Sequence, residues 1–561
     1  MSSINKLKKA LRSIDGQSRI LICDYYNQKY EYFNGIGLTL LQHDYIKFET
    51  VRIIITVPKH ILPVDISFES EIFAEDYLLR QVLPQLHLLN EEYQNKRKDT
   101  RLQCELFLCP CDSRISRRNA SKYNAKEQEW NITVLARIPC ISINSINGKL
   151  FSKFISDLIR AVCESMESIN TVDYNTKRCL FIKQQHIRRY LKNHNSVCFI
   201  ANGSIIPRIE NSYLPNENAI LFVSPASLEV TIRFDDNTSI TGMLLKHGIT
   251  VIVGGAYSGK STLLDAIEEG TYDHIMGDGR ELILTDRSAI KTNAEDGRPV
   301  SHLNLSPFFV SIPPKSNSDD FSTVHASGSV SQAANIVEAV YCNSKLLLID
   351  EDSSATNFLV RDQNIRKIIK NDPITPFTDR ITQLSDMGVS TIFVSGALSD
   401  YLTVANTVIL MESFIAKDIT DIVTGKSMFN DTDKVAWTEK RTLWIEEPVN
   451  PEITFSSSKI DGSNIVVGKY ITDISRLSAL TSRPQINALY YSLLTILTLT
   501  ENYNREISDV AEDACKHLFY ESWNKSRISV PDEYWIESIR PIDICCALNR
   551  LNELHEGESK K

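Results

Sequence analysis

Residues 254–261, Gly-Gly-Ala-Tyr-Ser-Gly-Lys-Ser, carry the most specific chemistry in this sequence. They fit the spacing G-x4-G-K-[ST], follow an apolar run (ITVIV, 249–253) and precede a helix-forming one (STLLDAIEEG). Gly254, Gly255 and Gly259 permit backbone conformations closed to other residues. The amides of Ala256, Tyr257, Ser258 and their neighbours can then converge on one concavity and hold phosphate oxygens. A helix beginning at Lys260 adds the positive end of its dipole, with Thr262 in its first turn. Lys260 is placed to reach β- and γ-phosphates, and the Ser261 hydroxyl to ligate Mg²⁺. A glycine-rich turn without a ligand is the plain alternative, and the strand–loop–helix context argues against it.

A second group follows about ninety residues on. In LLLIDED (346–352), four apolar residues predict a buried strand, with Asp350 at its end where a Mg²⁺ ligand is needed. Glu351 comes next, a candidate catalytic carboxylate able to orient the attacking water or take its proton. Between the two groups, Ser327-Gly328-Ser329 and then Gln332 open a predicted helix. Such a start is either an anion site or an ordinary helix cap.

The elements that must position these residues alternate in kind. From about 220 to 412, apolar runs such as KLLLIDE (345–351), STIFVS (390–395) and TVILME (407–412) are separated by loops and helices. That pattern predicts a parallel α/β sheet with crossovers. Before it, KFETVRIIITV (47–57) reads as a strand, and 71–89, 149–166 and 184–194 read as helices. The stretch 95–127 reads as an inserted loop or hairpin. Expected domains are an α+β unit over 1–200, the nucleotide-binding unit over 201–430, and a linker with a small C-terminal domain over 431–561. HEGESKK closes the chain as an expected disordered tail.

The order of the three motifs resembles that of the ABC ATPases in the P-loop NTPase superfamily. Longer segments, STLLDAIEEGTYDHIMGDGRE (261–281), FSTVHASGSVSQAANIVEA (321–339) and LLIDEDSSATNFLVRD (347–362) among them, are similar to a soluble family described as the predicted ATPases of the ABC class. The resemblance runs from LRSIDG (11–16) to SRLSAL (475–480) and is weakest over 90–130 and 430–470. It implies ATP and Mg²⁺ as ligands and ATP hydrolysis as the activity. It also implies a homodimer, at least with ATP bound, in which Ser327, Gly328, Ser329 and Gln332 act on nucleotide held by another subunit. Asp352–Asn357 would be the loop that crosses that interface. Two features depart from ABC transporters. Gly396 stands where transporters carry a switch histidine, and no glutamine lies between Gly254 and Val330, so Glu295 or Asn304 would have to substitute. Arg280 and Arg298, each in an Asp-Gly-Arg turn, read equally as phosphate contacts or as turn residues.

With 561 residues, 42% of them apolar, the chain can build several cores. No apolar run approaches the ~20 residues of a membrane span, and 487–500 reads as a buried helix, so no transport pathway of its own is expected. Twelve uneven cysteines suit a reducing compartment, and Cys104, Cys109 and Cys111 read as loop or core thiols rather than zinc ligands. The first residues pair Lys6, Lys8, Lys9 and Arg12 with an apolar stripe of Leu7, Leu11 and Ile14. An amphipathic helix ended by Gly16 is favoured over a transit peptide, so a cytoplasmic location is expected, with mitochondrion and nucleus still open.

The net charge is −9, yet residues 96–126 carry nine basic side chains against three acids, and 177–194 carry six against none. With Tyr123, Phe181 and Tyr190 interspersed, these stretches suggest single-stranded RNA or DNA as a partner. A solvated helix face and a lysine-rich loop are the alternative. Coupling of ATP-driven closure to nucleic acid, a switch acting on a protein partner, and ATP as a structural ligand with little hydrolysis are the three functional readings.

Overall fold

The computed structural model of the protein describes residues 2–553 except 44–48, 95–102, 143, 211, 312–316, 370, 424–434, 438–440, 444–448, 450–457, 500–501 and 520–533. The expected disordered tail and most of the expected linker lie outside the described residues. Two compact units result: 1–182 with 482–488 and 518–538, and 183–481 with 489–517 and 539–561. This division differs from boundaries at 200 and 430, because it falls inside a helix and shares residues 431–561 between both units.

In the first unit a seven-stranded sheet has the order β1 (Ser2–Ser3), β2 (Lys29–Glu31), β3 (Gly37–Gln42), β4 (Thr50–Pro58), β7 (Glu129–Arg137), β5 (Leu106–Phe107), with β6 (Ser121–Asn124) also paired to β7. The Ile-rich run of β4 forms this strand because both its faces are covered, so nearly every residue in it is buried. Helix α1 (Ile4–Ser13) buries Leu7 and Leu11 of the predicted stripe together with Ile4, while Ile14 is its C-cap; Ser3 caps its start, its hydroxyl accepting from Asn5 N at 3.2 Å. Helices α2 (Glu71–Gln94) and α3 (Gly148–Glu167) extend the predicted spans by a few residues. The predicted 184–194 is the end of a longer helix, α4 (Thr171–Asn193).

Within the basic stretch 96–126, Lys96, Arg97, Lys98 and Arg101 lie outside the described residues. Lys122 and Lys126 are exposed, and the three arginines Arg114, Arg117 and Arg118 are turned toward acids. Arg118, 1% exposed, pairs with Asp76 and, at 3.1 Å, with Glu537. Arg117 pairs with Glu71 at 2.7 Å and Glu75 at 3.2 Å, and Arg114 pairs with Asp112. Tyr123 and Phe181 are buried too. Desolvation makes such buried pairs a poor source of net stability, but removing one partner leaves a charge stranded.

Two sheets of the second unit frame the nucleotide-binding region. A four-stranded antiparallel sheet has the order β9 (Glu229–Arg233), β10 (Ser239–Lys246), β8 (Ser196–Ala201), β12 (Ile283–Thr285). A six-stranded sheet has the order β13 (Ile290–Lys291), β14 (Leu346–Asp350), β15 (Ser390–Ser395), β11 (Ile249–Gly254), β16 (Thr407–Glu412), β17 (Ile415–Asp418), parallel except for its last pair. The period of two is visible in its packing. Val251, Leu347, Ile349, Phe393 and Val408 face one core with Ala333, Ile336 and Val337 of helix α6 (Gly328–Tyr341). Ile252, Leu346, Leu348, Ile392, Val394 and Ile409 face the other, with Leu263, Leu264 and Ile267 of helix α5 (Lys260–Glu269). Continuous apolar runs are what a sheet covered on both sides requires.

Burial pushes the Glu75 carboxyl up to about 7, against the pull of Arg117 and of the Tyr123 amide. A folded value above the unfolded one means that the folded unit binds the extra proton. Its contribution to stability is therefore full below about 4.5, falls as pH rises to about 7, and is level above that. Thermal unfolding across this window is expected to show a descending component on the order of 3 kcal/mol that Glu75→Gln lacks. Parallel pH profiles for the two proteins would contradict this.

Candidate functional site

Parallel strands bring their C-terminal ends to one sheet edge, and here that edge collects the chemistry. Val253 stands level with Ser395, and Asp350 with Val394, across the adjacent pairs β11–β15 and β15–β14. With ~4.8 Å between strands, Gly254 and Asp350 start their loops about 10 Å apart, with the end of β15 between them.

The loop after β11 is shaped by close backbone approach. Gly254 has φ +155°, and a β-carbon there would meet Met411 O and lie 2.6 Å from Ser258 Oγ. Gly259 (φ +98°) lies under the Phe414 ring, where a β-carbon would be 2.6 Å from the ring edge. Tyr257 (φ +58°), Ser413 (φ +49°) and Phe414 (φ +67°) are also left-handed without being glycine. That conformation costs roughly 1–2 kcal/mol for an ordinary residue. Phe414 N donates to Ser258 O at 3.0 Å, so the β16–β17 turn braces the loop from outside. Tyr257 is 97% exposed.

A phosphate chain fits what this loop presents. The Ser258 hydroxyl is buried without a hydrogen-bond partner, and the N-terminus of α5 has no side-chain cap. First-turn amides of Lys260, Ser261 and Thr262 therefore remain for an anion. Lys260 Nζ donates to Gly254 O and Gly255 O, both at 2.8 Å, leaving one of its three donors free to face a ligand. The Ser261 hydroxyl is exposed in the same turn. The carboxylate of Asp350, a residue 8% exposed, accepts only from Asp352 N among the described residues, so both side chains have capacity left for Mg²⁺.

Glu351 stands one residue beyond β14. Its Oε2 accepts from Ser395 Oγ at 2.9 Å, Gly396 N at 2.8 Å and Ala397 N at 3.1 Å. Ser395 was not singled out from the sequence. Its position at the end of STIFVS was visible, but its aim at Glu351 depends on strand register.

The helix-start residues divide into two pairs. Ser327 is exposed and Gly328 half-exposed at the start of α6, open to a ligand or partner. Ser329 and Gln332 turn toward the 352–357 loop of the same chain: Ser329 Oγ donates to Asn357 Oδ1 at 2.7 Å, and the fully buried Gln332 donates to Ser354 Oγ and accepts from Ala355 N, each at 2.8 Å. They hold the 352–357 loop against α6. Arg280 and Arg298 are resolved as structural. Arg280 donates to Glu269 at 2.6 Å and to Ile206 O, and Arg298 to both oxygens of Glu338 at 2.8 Å. Glu295 is engaged by Arg550 at 2.6 Å, and Asn304 caps Ser306 N at 2.9 Å, so each already has a structural role. The second basic stretch is also largely occupied: Arg188 pairs with Asp273 at 2.8 Å and Lys183 with Asp236 at 3.0 Å, while Arg189 and Lys192 stay exposed. Cys104 and Cys109 are buried thiols, and no group of three candidate metal ligands occurs among the described residues. No helix among them is long and apolar enough to cross a membrane.

Residues 173–445 match the family model of the ABC ATPase P-loop domain, so the chain carries an α/β, ABC-class ATPase domain. It is 36% identical over 189 residues to an uncharacterized protein of Methanocaldococcus jannaschii, an alignment covering 32% of this chain and 42% of that protein. The chain thus spans less than half the length of this relative. Among solved structures, it is similar to an ATP-binding cassette of an ABC transporter in its ADP conformation (13% identity, 39% of this chain and 89% of that one, TM-score 0.23). It is also similar to cbiO1 from Clostridium perfringens, part of the ABC transporter complex cbiONQ (12% identity, 40% and 87%, TM-score 0.23).

Gly254→Ala is expected to weaken ATP binding about tenfold or more, because the added carbon displaces the loop from Met411 and Ser258. Calorimetric titration with ATP checks this, and unchanged affinity would contradict the loop geometry.

Proposed function

We propose that this protein binds Mg-ATP at the loop 254–261 and hydrolyses it at a site completed by a second copy of the chain. The observation that carries the reading is the Glu351 carboxylate, held at the sheet edge where the phosphate loop and Asp350 also emerge. Loop amides and the α5 N-terminus bind the phosphates, with Lys260 on the β- and γ-groups. Ser261 and Asp350 would hold Mg²⁺, which would supply neutralisation of phosphate charge.

Glu351 Oε1 orients a water and takes its proton as the water oxygen bonds to the γ-phosphorus. The bond from that phosphorus to the bridging oxygen breaks, and ADP carries the released electron pair. Ser327 and Gly328 of the second copy approach the γ-phosphate, which accounts for an exposed helix start in a unit whose other signature residues are buried. Ser329 and Gln332, committed within their own subunit, position that helix instead.

Coupling to a nucleic acid has narrower support. Of the described cations suggesting it, Arg114, Arg117, Arg118 and Arg188 are engaged by acids, while Lys122, Lys126, Arg189 and Lys192 are exposed. Filter binding of single-stranded RNA at two salt concentrations, with and without ATP, tests that remainder, and no binding at low salt removes it.

Glu351→Gln is expected to keep ATP affinity, lower turnover about a hundredfold or more, and accumulate an ATP-bound dimer. Lys260→Ala is expected to lose binding itself. Phosphate release and light scattering measure both effects, and hydrolysis by Glu351→Gln at the parent rate would overturn the assignment.

A further inference from the structure

We propose that the loop closing β15 is the device that positions Glu351, with Ser395 as its side-chain member. The inference rests on reading Glu351 as the base of an ATP-hydrolysing site. All three hydrogen bonds to this carboxylate arrive at one oxygen: Ser395 Oγ, Gly396 N and Ala397 N converge on Oε2 within 3.1 Å. No donor among the described residues reaches Oε1. A carboxylate offers acceptor sites on both oxygens, so saturating one fixes the plane of the group and leaves the other as the water's acceptor.

Ser395 is suited to this by its surroundings. It is 2% exposed, so its hydroxyl is shielded from competing solvent. Leu398 N donates to Ser395 Oγ at 3.0 Å, and the hydroxyl also lies 3.2 Å from Leu398 O, which folds the loop back over the strand end. One hydroxyl thus ties together the loop and the carboxylate. Gly396 contributes only its amide. A β-carbon there would meet nothing within 4 Å, so glycine is not required by space.

Steady-state ATP hydrolysis and ATP affinity of the full chain are to be measured for the parent, Ser395→Ala, Ser395→Thr and Glu351→Gln. Ser395→Ala is expected to lower kcat about tenfold while ATP affinity stays within about twofold. Ser395→Thr, which keeps the hydroxyl, is expected to recover most of the loss. Unchanged kcat in Ser395→Ala, a loss that threonine does not recover, or a matching loss of affinity would each overturn the positioning role. If Glu351→Gln itself hydrolyses ATP at the parent rate, the base assignment fails instead. If Glu351→Gln is inactive and Ser395→Ala fully active, only the positioning role is lost.

Discussion

The parallel register of β14, β15 and β11 places Asp350 level with Val394 and Val253 level with Ser395. Three loops leave the sheet from this line: the phosphate loop, the turn carrying Glu351, and the loop that grips it. Side chains alternate with period two, so a slip of one residue would move Ile349 and Phe393 from the α6 face to the α5 face. It would also carry Ser395 away from Glu351. The close packing of both faces therefore holds the chemical groups in register, and the buried Leu, Ile and Val of these strands serve the site as directly as its polar residues do.

Rigidity around the phosphate loop comes at a conformational cost. Tyr257, Ser413 and Phe414 stay left-handed because the loop and the β16–β17 turn over-determine each other, through Phe414 N on Ser258 O and the ring on Gly259. A second brace is polar. Gln332 spans from α6 to Ser354 and Ala355, tying the helix that begins at Gly328 to the loop following Glu351.

Much of this was legible in the residues themselves. STIFVS and TVILME coincide with β15 and β16, and G-x4-G-K-S between a strand and a helix located the loop without any structure. Local pattern suffices there, because period and glycine spacing are short-range properties. What escaped depends on pairings distant in sequence. Ser395 lies 44 residues from Glu351 and matters only through register. Arg298 and Arg280 looked open to phosphate until Glu338 and Glu269 were placed beside them. The basic run around Arg118 looked like a surface until Asp76, from the second turn of α2, and Glu537, 419 residues away, closed over it. Charge counts along a chain do not reveal which acids fold back upon them.

The central claim is that hydrolysis needs the phosphate loop of one copy and the α6 start of another, and mixing two defective variants tests it most directly. Lys260→Ala lacks a working loop but keeps Ser327, and Ser327→Arg blocks the exposed helix start but keeps the loop. Each alone is expected to be inactive, while their equimolar mixture regains a substantial share of parental ATP hydrolysis through one restored site per mixed dimer. Full activity of Ser327→Arg alone, or a mixture no more active than its parts, would contradict the account.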